Sequence, residues 1–529
     1  MAKITQKALT WSLNHLTKDR DTDLFPQLFE FSAIGRFKNE VFTALEKVDI
    51  TNYPWSQGRR FVVPRGTKRY RAATQLDPID SLMISALIHD VAPQIEAARL
   101  AIGTKRVFSY RVDINDGGRL YSEPSGWRSF WQESATRAAS AGTVLVIDVR
   151  DFYNQIYHHT IENELKGCGV SVDYSKAIVG CLARQSHSVS RGIPVGPHFT
   201  HILAELCLNP IDRALLANGL DFCRYADDYH IFCKSRVDAE IALVKCVETF
   251  DKQQRLALNE SKTDIVEGKV FAERAASITQ DRPINADENK LLAVIRKYTD
   301  DDEYNTVTYT VVDHESLELV SDVKLTALVE SYLSETPVNW SRLGWLLRRL
   351  RQIGAPGALR VVVENLPVLT PIIGDVARYI LAAAPNFQAD PRDLGARIVS
   401  LLADDRVRSS EYVSCVLLHL FAINAKLNHL DEITALWPVL TQAARREVLV
   451  AAARGSAHHW IRERKDDIDN SDPWSERALI VAISGLPDVE AKFWIKNKQP
   501  SLKGLNRLVA ARFFDKKHSI GIGGDLVFP

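Results

Sequence analysis

Two adjacent carboxylates, Asp227 and Asp228, stand in the stretch FCRYADDYHIF between two short, aromatic-rich apolar runs, Phe222 to Tyr225 and Tyr229 to Phe232. That pattern predicts a β-hairpin with the acids at its turn. Like charges held side by side in apolar surroundings must be neutralised, and a divalent cation does this well. The pairs Asp300 and Asp301, Asp404 and Asp405, and Asp466 and Asp467 lack such flanks and read as helix ends or exposed loops. Two Mg²⁺ ions about 3.5 to 4 Å apart can clamp the attacking and leaving oxygens of a phosphoryl transfer, which requires another carboxylate from a neighbouring strand. Asp148 is the candidate, near the end of the β-branched run TVLVIDV (Thr143 to Val149) and just before DFYNQIYHH, where a helix is expected to open. The plainer reading of Asp148 is an N-cap on that helix.

The elements that must position these acids are mixed. Between Ala141 and Phe271 short β-branched runs alternate with helical stretches such as HFTHILAELCLNPIDRALLANG, which predicts an α+β or α/β unit. The Gly/Pro segment Gly192 to Pro197 predicts a loop that opens a helix near His198. After DDDE (300–303), YNTVTYTVV predicts a strand, and from about Val323 onward helical periodicity is almost continuous, broken by Pro, Asn, Asp or Gly. Such spacing suggests antiparallel helix pairs in an irregular solenoid that packs against the first half.

A chain of 529 residues, 46% hydrophobic and 25% charged, fits two or three folded domains and has no apolar run of membrane-spanning length. The N-terminus lacks a secretory pattern, so the cytoplasm is expected. Equal totals of 66 basic and 66 acidic residues exclude a uniformly basic nucleic-acid binder, although Arg59 to Arg71 carries six basic residues and no acid. Seven cysteines form no C-x-x-C pair, which argues against zinc and against a disulfide framework.

VIDVRDFYNQIYHH, RGIPVGPHFTHILAELCL, RYADDYHIF and LALNESKTDIV follow one another in the order and spacing of the palm motifs of reverse transcriptases, and the resemblance runs from Arg59 to Phe271. The stretch VFSYRVDINDGGRLY through GWRSFW, with the long helical tail, resembles the bacterial defence-associated (abortive-infection type) members. The resemblance implies an α+β right-hand palm and fingers over residues 1–285 and a connecting segment over 286–322. An all-α, helical-repeat-like C-terminal domain, 323–529, then replaces an ordinary thumb.

The same resemblance assigns roles. Asp148, Asp227 and Asp228 become the catalytic acids and, with the main-chain carbonyl of Val149, the ligands of two Mg²⁺ ions. Tyr153 becomes the aromatic beneath the incoming sugar that excludes a 2′-hydroxyl. Lys262 approaches the triphosphate and protonates the leaving pyrophosphate. Lys68, Arg69 and Arg71 supply cations from the fingers. Gly196 lets the Gly192–Pro197 backbone approach nucleotide or template closely. This chain departs from the pattern at Pro194, Val195 and Gly196, where many relatives have P-Q-G; the missing amide puts ordinary templating in doubt.

Together these roles imply a Mg²⁺-dependent DNA polymerase of antiphage defence that takes dNTPs. It either copies an RNA, a dedicated non-coding RNA included, or extends DNA without a template from a protein hydroxyl. The expected partners are RNA, the DNA product and further copies of the chain joined through the helical domain, with no membrane. Two other readings stand beside it: a catalytically silent palm serving as a nucleic-acid scaffold, with the helical domain as recognition module, and a palm-type nucleotide cyclase. The histidines His158, His159, His198, His201 and His230 are expected to be structural. Trp340 and Trp345, beside Arg342, Arg348, Arg349 and Arg351, are read as core anchors or as a stacking platform for single strands.

Overall fold

The computed structural model describes residues 2–19, 24–122, 125–279, 286–299, 307, 309–388, 390–518, 526 and 528. Helix α1 (Glu30–Arg36) precedes an antiparallel hairpin, β1 (Arg59–Pro64) and β2 (Tyr70–Gln75). After the buried helix Pro78–Ala98 come α2 (Ser125–Ser140), β3 (Thr143–Asp148), α3 (Phe152–Gln155), α4 (His158–Gly167) and α5 (Phe199–Ala217). The hairpin strands β4 (Asp221–Tyr225) and β5 (Asp228–Cys233), then α6 (Arg236–Gln254), β6 (Asp264–Glu267) and α7 (Gly268–Thr279), complete this half.

Strands β3 to β6 form one sheet in the order β4-β5-β3-β6, every neighbour antiparallel. Alternation along the strands sorts their side chains onto two faces. Leu145, Ile147, Phe222, Tyr229 and Ile231 join the main core. Val144, Val146, Phe232 and Val266 pack instead with Ala138 of α2 and with Phe271 and Ala275 of α7. Both faces are therefore covered, which is why TVLVIDV reads as a continuous apolar run.

Beyond residue 321 the described chain is helical, including α8 (Trp340–Gln352), α9 (Glu411–Ile423), α10 (Gln442–Arg454) and α11 (Pro473–Ser484). Helices α9, α10 and α11 pack in succession, as helix pairs require. This half docks on the β1–β2 hairpin and α1 through buried charge. Glu30, fully buried, accepts two bonds from Arg446 Nη2 at 2.6 and 2.7 Å and one from Arg477 Nε at 2.9 Å. Arg477 also reaches Asp77 Oδ2 at 2.9 Å. Burial by itself would raise the Glu30 carboxyl, but Arg446 and Arg477 hold it below the usual carboxylate range. The Arg59 guanidinium stacks 4.2 Å from the Trp474 ring, and the tip residue Gly66 donates its N–H to the Pro371 carbonyl at 3.3 Å.

Two expectations need correction. The strand expected over 304–312 is absent where it is described. Tyr309–Val311 form a 3₁₀ turn, and the Val307 N–H donates to the Gln352 carbonyl at 2.8 Å, so helix packing overrides β-propensity. Residues 304–306 and 308, like DDDE at 300–303, lie outside the described residues. The helix expected to open at DFYNQIYHH is only the four-residue α3; Ile156 and Tyr157 turn extended before α4 begins. Asp148 closes β3 and caps no helix. The cysteines are free thiols and all but Cys168 are buried. No described helix is long and apolar enough to cross a membrane.

Candidate active site

The hairpin β4–β5 turns through two residues, Ala226 and Asp227, because Tyr225 pairs with Asp228. Ala226 sits at φ +50°, a left-handed conformation that glycine accepts more readily. The strain is held by the strand beneath it. Arg224, fully buried, pairs with Asp212 through Nε (2.9 Å) and Nη2 (2.6 Å), with Glu205 through Nη1 (2.8 Å), and reaches the Ala226 carbonyl at 3.2 Å. Glu205 is in turn bound by Arg99 at 2.5 Å, and the Tyr229 hydroxyl donates to Asp212 at 3.1 Å. Two acids and two guanidiniums thus fix the base of the turn that carries Asp227 and Asp228.

Strand register then delivers the third acid. Asp148, at the end of β3, lies directly opposite Asp228 on β5. The three carboxylates act on one another electrically. Burial, and next the charge of Asp148, push the Asp227 carboxyl up to about 6, with Lys262 and Arg71 opposing. Burial, then Asp227 and Asp148, push Asp228 up to about 7, again against Lys262. One Asp148 oxygen accepts from Asn259 Nδ2 at 2.8 Å and the other from Lys262 Nζ at 2.5 Å. Among the described residues no group of three or more His, Cys, Asp or Glu is drawn in to metal-ligand spacing. The donor set nevertheless suits a hard divalent cation: it consists of carboxylate oxygens whose mutual repulsion a cation would relieve. Val149 forms a bridge with Leu258, flanked by Arg150 N–H to Ala257 C=O (2.9 Å) and Asn259 N–H to Asp148 C=O (2.8 Å). That pattern directs the Val149 carbonyl to the other side of β3, where β5 lies.

Tyr153, on α3, is half-buried, and burial followed by the charge of Asp227 raises its hydroxyl well above the ordinary tyrosine value. Its carbonyl accepts the Ile193 N–H at 2.9 Å, and Gly192 N–H donates to the Ile156 carbonyl at 2.7 Å, so the Gly192–Pro197 loop lies along α3. The Val195 carbonyl accepts the Thr74 N–H at 2.8 Å, which ties the loop to β2. Gly192 (φ +91°) and Gly196 (φ +128°) both occupy conformations reserved for glycine.

Of the cations on the β1–β2 hairpin, Arg71 on β2 lies close enough for its charge to act on Asp227 and Tyr153. Lys68 and Arg69 are exposed at the hairpin tip. His158 (to the Gly192 carbonyl, 2.8 Å) and His230 (to Ser134 Oγ, 2.9 Å) make structural bonds, and burial pushes His230 down to about 3. Trp345 lies under Arg342, 3.9 Å from ring to guanidinium, and Trp340 borders Gly66 at the fingers tip. Sequence reasoning missed Arg224, Asn259 and the bond of His201 to Tyr153. An arginine inside an apolar strand was the available signal for the first; nothing local marked the others.

Residues 65–303 match the family described as reverse transcriptase (RNA-dependent DNA polymerase). Over that span the chain is similar to reverse transcriptases. The match supports a nucleotidyltransferase, an RNA-directed DNA polymerase, and the family is generally divalent-metal dependent. Asp148, Tyr153, Asp227, Asp228, Lys262 and the tip of the β1–β2 hairpin all fall within the matched span, whereas α8 to α11 lie beyond it. No curated protein matches the chain.

Proposed function

We propose that the chain is a Mg²⁺-dependent polymerase adding deoxynucleotides to a growing DNA, with Asp148, Asp227 and Asp228 as its catalytic acids. The observation that carries this is the pairing of Asp148 opposite Asp228 at the hairpin tip, with Lys262 2.5 Å from Asp148. Asp148, Asp227, Asp228 and the Val149 carbonyl would hold two Mg²⁺ ions, which when bound supply charge neutralisation for phosphoryl transfer. Around them the chain's own groups position substrate. Arg71 lies on the phosphate side and Tyr153 closes the space below the sugar. The Gly192–Pro197 backbone, held between α3 and β2, shapes the base-pairing side. Lys262 is already within reach of the carboxylate cluster and is placed to pass a proton to a leaving pyrophosphate.

The finer reading is bacterial antiphage defence of the abortive-infection type, acting in the cytoplasm with oligomers built through the helical domain. It rests on Val195 in place of the amide side chain and on the helical half that docks where a thumb would follow. Synthesis either copies an RNA, including a dedicated non-coding RNA, or proceeds untemplated from a protein hydroxyl. Purified protein incubated with Mg²⁺ and each dNTP separately, with and without co-purified RNA, then digested with protease, RNase and DNase, separates these. A homopolymer that survives RNase and shifts with protease means untemplated, protein-linked synthesis. Mixed-sequence DNA that vanishes when RNA is removed means copying. A silent palm used as a scaffold is favoured by one observation, the engagement of both Asp148 oxygens by Lys262 and Asn259; absence of any incorporation alongside Mg²⁺-independent nucleic-acid binding would establish it.

A further inference from the structure

His201, on the first turn of α5, is clamped on two sides. Its Nδ1 is hydrogen-bonded to the Tyr153 hydroxyl at 2.6 Å, and its ring stacks on that of Tyr110 with centroids 4.0 Å apart and planes 3° from parallel. Tyr110 holds that stack from a left-handed backbone, φ +46°, which an aromatic residue adopts only when its surroundings impose it. Tyr121 fixes the helix turn beneath: its hydroxyl donates to the His198 carbonyl at 2.6 Å and accepts the Ile202 N–H at 3.1 Å. The assembly is thus anchored at both ends and presents the His201 ring nitrogen to the Tyr153 hydroxyl.

Without that contact the Tyr153 ring keeps its short helix but loses the bond at its outer end. A tyrosine ring has two side-chain torsions, and a bond to its hydroxyl restrains both. The ring spans from α3 to His201 on α5, and the charge of Asp227 is felt at its hydroxyl. We infer that His201 is a specificity-determining positioning residue. By holding the Tyr153 hydroxyl against the Tyr110 stack, it sets how far the ring intrudes into the space of a bound 2′-hydroxyl, and so how strongly deoxyribonucleotides are preferred. The inference rests on the reading of Tyr153 as part of the nucleotide site.

The test measures the ratio of kcat/KM for a dNTP over its ribonucleotide, together with equilibrium binding of nonhydrolysable deoxy- and ribonucleotide analogues, in the full-length protein. Tyr153→Ala tests the gate itself. His201→Ala, His201→Asn and Tyr153→Phe test the anchor, with the double variant Tyr153→Phe/His201→Ala closing a cycle. A part-buried hydrogen bond of ordinary net strength corresponds to about a fivefold change. His201→Ala and Tyr153→Phe are each expected to lower discrimination by about that factor, and the double variant by no more than either single one. His201→Asn, whose side-chain amide can meet the hydroxyl again, should recover part of the preference. If Tyr153→Ala lowers discrimination but His201→Ala lowers dNTP and ribonucleotide use equally, the inference is overturned and the gate survives. If the cycle is additive, the inference is again overturned. If Tyr153→Ala leaves discrimination intact, or no nucleotide binds, the reading of the site falls and the inference with it.

Discussion

Asp227→Asn and Asp228→Asn should abolish nucleotide addition and, in metal-free buffer, make the protein more stable at neutral pH. Burial and mutual repulsion lift these carboxyls from 3.8 to about 6 and about 7. A carboxyl with a raised folded pKa favours folding only while protonated. Its contribution is complete below the unfolded value near pH 4 and is lost as pH climbs through 6 to 7. Above that window each ionised group opposes folding. At about 1.4 kcal/mol per pKa unit, the Asp227 shift of roughly two units amounts to ~3 kcal/mol before screening. Asp227 is only half-buried, and Asp228, though crowded by its neighbours, keeps much of its surface open to solvent, so solvent screening leaves about 1–2 kcal/mol for either substitution. Because each acid feels the other, the double substitution gains less than the sum. For a domain of this size the single gain corresponds to a rise in Tm of roughly 2–6 °C. Thermal melts in EDTA at pH 7.5 and pH 4 are the assay: the variants lead at pH 7.5, the lead shrinks towards pH 4, and Mg²⁺ stabilises the parent protein but not the variants. A variant less stable than the parent at pH 7.5, or a lead that ignores pH, would refute the picture of three mutually repelling carboxylates.

Lys262→Met removes the ammonium that lowers both Asp227 and Asp228; the acid limb of the kcat/KM–pH profile should move to higher pH and the rate fall by about a hundredfold. Arg224→Met leaves Asp212 and Glu205 buried with fewer counter-charges and should cost about 3–5 kcal/mol in urea unfolding, with insoluble protein as the extreme outcome. Glu30→Gln leaves Arg446 and Arg477 without their shared carboxylate. It should cost a similar amount, roughly 3 kcal/mol, and should split one cooperative unfolding transition into two, read by limited proteolysis of the helical half.

Local pattern revealed the hairpin, the β3 run and the long C-terminal helices, because alternation and 3.6-residue periodicity are written into neighbouring residues. The convergence of Asp148 with Asp228 depends on register, which no single segment encodes; the motif resemblance supplied it. The β1–β2 tip was legible as a basic run, but not which of its cations acts on Asp227: strand pairing with Val63 sets Arg71 on β2, while Lys68 and Arg69 belong to the turn. Nothing local announced the docking of the two halves, because Glu30 meets partners 416 and 447 residues away. The described part of YNTVTYTVV, Val307 and Tyr309 to Val312, forms no strand, for the reason β-propensity often misleads: a β-branched run becomes a strand only with a neighbour to pair.

Whether the three carboxylates hold metal beneath a nucleotide is decided by crystals soaked with Mn²⁺ and a nonhydrolysable dNTP and measured at the manganese absorption edge. Two anomalous peaks among the side chains of Asp148, Asp227 and Asp228, with Lys262 withdrawn from Asp148, are the predicted result. Nucleotide bound elsewhere, or manganese absent from those three carboxylates while Lys262 stays in place, would contradict it.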